Sequence, residues 1–374
     1  MRISSSILAA MFLTLTSTQA SAWGERGHNA IARVATRIMA QDKDPEVAAL
    51  GALMQKKEHM LGHLANVPDI VWRSSPELDV YNVPSHFVDL DYILPENKKL
   101  NAQDAPTDFE TYRKALVANC SKKQLSCAPG ATEADKIQKA GHAPFRVQQL
   151  TQELTKILAD VKKLENDPKA KPEERTALID QALLHAGILA HFIGDLANPH
   201  HTSADYDGWH SEQGGLHSYF ESEQVDAQSL DLEQAMLAAA TKEKPSQKIF
   251  GKNPKDPLRM AWELTLASHA RVKTLHDLDR RHSLLEKSDS TKRVKARRKP
   301  SHQVANEYRQ FLVERLSVGA DALATVWVTA WNAAGRPKLQ GYHSYNYPVK
   351  PEFIPLSYVA PVVAQTETAE KPKL

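Results

Sequence analysis

The sequence predicts an all-α fold, and three observations carry that prediction. Apolar residues recur at helical spacing over long stretches near 28–39, 143–164 and 304–334. Strand signals are few and short. Two histidine–carboxylate pairs, His191/Asp195 and His217/Glu221, stand four residues apart, the spacing that puts both side chains on one face of a helix. The 374 residues have room for one large domain or two smaller ones. The expectation is a single mainly helical domain over 23–336.

Residues Met1–Ala22 read as a secretory leader, with Arg2 as its positive start, Ile7–Leu15 as its apolar core and Ala20-Ser21-Ala22 as the cleavage site. The leader is too short to span a membrane, and no later stretch has eighteen consecutive apolar residues. The expectation is an exported protein, secreted or periplasmic, with no integral membrane segment. Cleavage after Ala22 would make Trp23 the new N-terminus. Its amine and carbonyl can then chelate a metal, with His28 completing the grip; the plainer reading of this segment is an aromatic anchor at a domain start.

The first helix follows from Ile31, Ala32, Val34, Ala35 and Ile38, and a second is expected over Pro45–Met60. Pro68, Pro76 and Pro84 make the next stretch loop-rich, and it gathers Asp69, Arg73, His86, Asp89 and Asp91. Phe145, Val147, Leu150, Leu154, Ile157, Leu158 and Val161 stripe a helix over Ala143–Leu164. A polar turn over 166–174 precedes a long apolar helix over Arg175–Asp195. Leu258, Trp262, Leu266 and Ala270 mark a helix over Leu258–Leu275. Tyr308, Leu312, Leu316, Ala320, Leu323 and Val326 mark the last, Val304–Ala334. Two stretches read as loop insertions, 243–257 and the basic run within 287–300. The tail, 337–374, is proline-rich without helical period and is expected to be extended and partly disordered.

Composition limits the partners little. A net charge of +2 is too mild to predict a polyanion, although the basic run alone suits a phosphate backbone or an anionic lipid as well as plain solvent. The two cysteines, Cys120 and Cys127, stand seven apart. In an oxidising compartment they are expected to close a small disulfide loop; as zinc ligands they would be half a site.

The segment from His191 to Glu221 concentrates metal-binding chemistry. Imidazole nitrogen with carboxylate oxygen is a zinc donor set, and two helices presenting such pairs can build adjacent sites. A lone pair of this kind is more often a surface ion pair; two pairs flanking His201 are harder to dismiss.

Taken together, WGERGH, Asp69 with His86-Phe87, HFIGDLANPHH and HSYFE resemble the secreted tri-zinc phosphodiesterases, which comprise fungal and plant single-strand nucleases and bacterial zinc phospholipase C. The resemblance runs from Trp23 to Glu221. It implies three zinc ions per chain. Asp69, His86, His191 and Asp195 would hold the first. The Trp23 amine and carbonyl, His28 and the second oxygen of Asp195 would hold its neighbour. His201, His217 and Glu221 would hold the third and leave positions open. His200 is a neighbour of the ligands, and His63, His142, His185 and His210 match no ligand position. Asp69 would orient the water that attacks a phosphodiester, and Arg73 would support an acid such as Asp89 beside the substrate. Phe87 would stack a base, touch an acyl-glycerol or serve as core; Trp72, Tyr206 and Trp209 share that ambiguity.

The two branches pull apart on substrate. The spacing in WGERGH and a loop disulfide are similar to the nucleases; Glu221, HSYFE and SHFVDLDY are similar to the phospholipases. The expectation is a nuclease or nucleotidase acting on single-stranded DNA or RNA, as a monomer. The alternatives are a phospholipase C for phosphatidylcholine-like lipids and a secreted zinc-binding protein without turnover.

Overall fold

In the computed structural model, which describes residues 23–93, 101–121, 130, 132–165, 167–287, 293–344 and 351–359, the chain is mainly helical. Helix α1 (Gly24–Ala40) turns Ala30, Ile31, Val34, Ala35 and Met39 into the core. The second expected helix is two. α2 (Pro45–Gln55) starts where Asp44 accepts the Glu46 N–H, with proline in the first turn where its missing N–H costs nothing. After a turn at Lys56-Lys57, α3 (Glu58–Leu64) buries Met60, Leu61 and Leu64.

The stretch expected to be loop-rich holds short helices: α4 (Val67–Ile70), α5 (Pro76–Asn82) and single 3-10 turns between and after them. Each of the three prolines stands in the first turn of one such piece. There proline starts a helix rather than preventing one. Neither α6 (Phe109–Ser121) nor α7 (Glu133–Ala140) was expected; α7 is short and begins at a capping box between Thr132 and Asp135. The Cys120–Cys127 disulfide and the leader fall outside the described residues, as do the side chain of Cys120 and residues 360–374.

α8 (Ala143–Glu165) and α9 (Pro172–Ala197) pack against one another, and α9 is buried from Ala186 onwards. By length and composition α9 alone among the described helices could cross a membrane, yet 67% of the relevant stretch is buried in the fold. It is the central core helix. A 3-10 turn (Pro199–Thr202) follows, then α10 (Leu216–Ser218), a π turn (Tyr219–Glu223) and α11 (Gln224–Asp226).

Next come α12 (Leu232–Glu243) and α13 (Pro245–Phe250), the latter inside the stretch expected to be a loop. Its first turn is fixed by Asp321, which accepts the Ser246 N–H at 2.8 Å. The expected helix over Leu258–Leu275 bends into α14 (Pro257–His269) and α15 (Val272–Arg280). β1 (Ser283–Leu284) and β2 (Arg297–Arg298) then pair antiparallel, joining the two ends of the basic insertion. α16 (Ser301–Ala333) runs against α1, α8 and α9; a Cβ at Gly319 would lie 3.2 Å from both Ala197 and Ile31, so glycine sets how closely these helices approach.

The described part of the tail is an extended arm laid on the helices. Trp72 donates its indole N–H to the Pro351 carbonyl at 3.2 Å, and Arg146 donates to the Ile354 carbonyl at 2.8 Å. Arg146 is buried in α8 among the rings of Trp72, Phe192 and Phe353. The Ile354 carbonyl of the arm and Gln149 Oε1 of α8, at 3.1 Å, share the hydrogen bonds of that buried guanidinium.

Candidate metal centre

His191 and Asp195 lie one turn apart on the buried half of α9, both with no exposed surface. His191 Nδ1 lies 2.7 Å from the Ala65 carbonyl, which fixes Nδ1 as the donor and points Nε2 at the site. His201 is held the same way, its Nδ1 2.8 Å from the His86 carbonyl. Tertiary contacts, not chain proximity, thus set both rings.

Four side chains converge first. His86 Nδ1 lies 2.9 Å from His191 Nε2, 3.1 Å from Asp195 Oδ2 and 3.6 Å from Asp69 Oδ1. His191 Nε2 lies 3.2 Å from Asp195 Oδ2 and 3.9 Å from Asp69 Oδ1. Donors bound tetrahedrally at about 2.0–2.1 Å are about 3.3 Å apart. The observed separations bracket that edge.

The other oxygen of Asp195 faces elsewhere. Oδ1 lies 3.4 Å from His28 Nε2, on α1, and 4.0 Å from His201 Nδ1. One carboxylate therefore serves two donor groups. Gly194 makes room, since a Cβ there would stand 2.9 Å from His28 Nδ1. Trp23 is fully buried, donates its indole N–H to the Gly194 carbonyl at 2.6 Å and turns its main-chain nitrogen to Glu221 Oε2 at 3.2 Å.

In a third group, His217 Nε2 lies 2.7 Å from Glu221 Oε2 and 3.1 Å from His201 Nε2, and His201 Nε2 lies 3.6 Å from Glu221 Oε2. The i,i+4 pair straddles the π turn rather than an ordinary helical turn. Such turns recur at functional sites because they reset side-chain register.

These groups fit metal ions. Both ring nitrogens of His28, both oxygens of Asp195 and Glu221 Oε1 are buried without a hydrogen-bond partner. Buried carboxylates left so are costly, and a cation among them offsets the cost. The donors are imidazole and carboxylate throughout, a set for borderline divalent ions. Burial works against ionising Asp195, but His191 and His201 outweigh it and hold its carboxyl well below the usual range. Burial likewise opposes ionisation of Asp69, and His191 with His86 bring it down to about 2. Burial lowers His86 to about 4, leaving its imidazole neutral. Glu221 differs: burial raises it to about 8 despite His201. The structure thus contains three buried groups of His, Asp and Glu donors that can each hold a metal ion.

The remaining predicted residues are scattered. Arg73 Nη1 pairs with Asp69 Oδ1 at 3.2 Å, and its Nε lies 3.8 Å from Asp79. The expected support of Asp89 by Arg73 is not found. Asp89 is buried with Oδ1 unpaired, and burial followed by the charge of Asp91 raises its carboxyl well above the usual range. Its chain turns inward there, its N–H reaching the Ala140 carbonyl at 2.7 Å. Phe87 is half-buried with its ring against Gly141, where a Cβ would stand 2.5 Å from the ring. Tyr206 is 37% exposed and edge-on to His217. His142 is buried and bonded to the Tyr358 hydroxyl; His63 and His210 are exposed, and His185 lies 3.6 Å from Glu153. His200 is buried beside His217 and His276.

Three supporting residues were not read from the sequence. Arg26 donates to the carbonyls of Val225, Asp226, Gln228 and Ser229, tying α1 to the end of α11. Asn198 donates to Glu221 Oε2 at 3.1 Å, and Asp207 accepts the His217 N–H at 2.9 Å. Asn198 was visible as a helix-breaking Asn-Pro; its second role has no local signal. No family model matches the chain, and no curated protein matches it.

Proposed function

We propose that the protein is an exported zinc-dependent phosphodiester hydrolase of the tri-zinc type, acting on single-stranded nucleic acid or nucleotides. One observation supports the reading above others: the donor groups are continuous, because Asp195 turns one oxygen to His86 and His191 and the other to His28. Asp69, His86, His191 and Asp195 would hold one ion; His28, Asp195 and the Trp23 terminus a second; His201, His217 and Glu221 a third.

Zinc ions held there would lower the pKa of water towards neutrality and offset charge on a phosphodiester. Asp69, ionised at neutral pH with Arg73 at 3.2 Å, orients the attacking water. Three donors rather than four in the last group leave room for substrate. A second reading, phospholipase C, is favoured by one feature: Leu284 and Leu285 are exposed within a cationic surface seated on Gly214.

The test compares nucleotide release from single-stranded DNA and RNA with phosphocholine release from phosphatidylcholine, each with a chelator control. His201→Ala and Asp69→Asn should abolish turnover while helicity is retained. Full activity in both purified variants would sink the hydrolase reading. Zinc content without any turnover would leave a metal-binding protein.

A further inference from the structure

The basic insertion supplies no donor to the metal centre, and the fold gives its two ends different inner and outer faces. Ser283 pairs with Arg298, and Leu284 with Arg297. On the inner face Arg298 holds Asp279 with two prongs, at 2.8 and 2.9 Å. Tyr308, Gln213 and Ser283 also donate to that carboxylate, at 2.9, 2.8 and 3.3 Å. The ribbon is also seated on the approach to His217: the Ala296 N–H reaches the Gly214 carbonyl at 2.9 Å, and the Tyr219 hydroxyl donates to the Lys299 carbonyl at 2.8 Å.

The outer face is the reverse of a packed surface. Leu284 is 61% exposed and Leu285 39%. Around them Arg281, Lys287, Arg293, Lys295, Arg297 and Lys299 are all exposed. Among the described residues of this segment the one acid is Glu286, paired with Arg297 at 2.9 Å. Apolar side chains amid cations suit the boundary of an anionic bilayer, where leucine enters the acyl region and ammonium and guanidinium groups meet headgroups. A single-stranded nucleic acid would use the charge but stack its bases on exposed rings. Residues 281–299 contain no Phe, Tyr or Trp. The nearby indole of Trp209 is half-buried, with the Arg293 guanidinium 5.6 Å over its ring.

We propose that the outer face of the β1–β2 ribbon docks the protein on anionic lipid surfaces. The docking does not depend on hydrolysis, and its test reads none. The purified full chain is sedimented with vesicles of phosphatidylcholine alone, or of equal parts phosphatidylcholine and phosphatidylserine, at low and high salt. Capture by the anionic vesicles alone, weakened by salt, is the expected result. Leu284→Ser with Leu285→Ser should lower partitioning by about tenfold or more. Lys287→Gln and Lys299→Gln should each lower it about fivefold. Neither pair touches the Asp279 network, so circular dichroism and metal content should not change. Equal capture by both vesicle types, or capture indifferent to both pairs, overturns the proposal. So does an oligonucleotide retained through the same lysines without vesicle capture, which assigns the face to nucleic acid.

Discussion

The pairs His191/Asp195 and His217/Glu221 have the same spacing, yet the molecule supports them differently. The first stands in the middle of a core helix, with no exposed surface at either residue and with Gly194 admitting His28. Packing fixes it. The second straddles a π turn after a long loop, and polar contacts fix it: Asp207 to the His217 main chain, Asn198 to Glu221, and Arg298 to the Gly214 carbonyl. Packing tolerates no change of shape, whereas a polar support can be weakened one hydrogen bond at a time.

The largest expected difference follows from Asp195 serving two donor groups. On the proposed tri-zinc reading, Asp195→Ala should remove two of three metals and cut hydrolysis at least about a thousandfold. Glu221→Ala should remove only the metal of its own group. Elemental analysis of both purified variants decides. Equal metal loss would mean that the carboxylate of Asp195 is not shared.

A smaller effect separates the supports themselves. Asp207→Ala leaves every donor in place but takes away the acceptor of the His217 N–H. Affinity for the last metal should weaken by about 10–100-fold, the cost typical of an outer partner. The other two metals should titrate unchanged. Weakening of all three together would show that the loop and the core helix are not independent.

Glycine substitutions sharpen the contrast in stability. Gly194→Ala drives a methyl to 2.9 Å from a buried imidazole, which should cost about 1–3 kcal/mol. Gly215→Ala meets the flexible Lys295 side chain at 3.3 Å and the tip of Arg298 at 3.6 Å. It is charged mainly for its φ of +81°, at about 1 kcal/mol. Denaturant melts that rank them the other way would contradict a packed core pair and an adaptable loop pair.

The same contrast explains what could be read in the chain. Long stripes such as Phe145–Val161 mark helices because the buried face repeats with the helical period. α7 has eight residues, so few of its turns can show it, and α6 buries only Tyr112 and Leu116 among its described side chains. α13 escaped because its support, Asp321, is 75 residues distant from Ser246. In the site, HFIGD announced its donors since one helix turn carries both. Arg73 reaches Asp69 and Asp79 rather than Asp89, because nearness in sequence says nothing of the inward turn at Asp89. Ala65 acts through its carbonyl, and the side chains of Arg26 and Asp207 meet main-chain groups, which carry no side-chain signature to mark the pairing.

The subtlest test compares two carboxyls that burial raises. Glu221 has His201 and His217 beside it, whereas Asp89 has no ion-pair partner among the described residues. Asp89 should therefore remain protonated in the fold. An acid with a raised folded pKa contributes its full stability below the unfolded value, 3.8, and loses it as pH rises through the folded value. Asn mimics the protonated form and does not titrate. Asp89→Asn should match the natural chain near pH 4 and melt higher at pH 7, by an amount that grows between the two. Thermal melts across that range read it directly. A variant that is less stable at pH 7 would mean that Asp89 works as an anion.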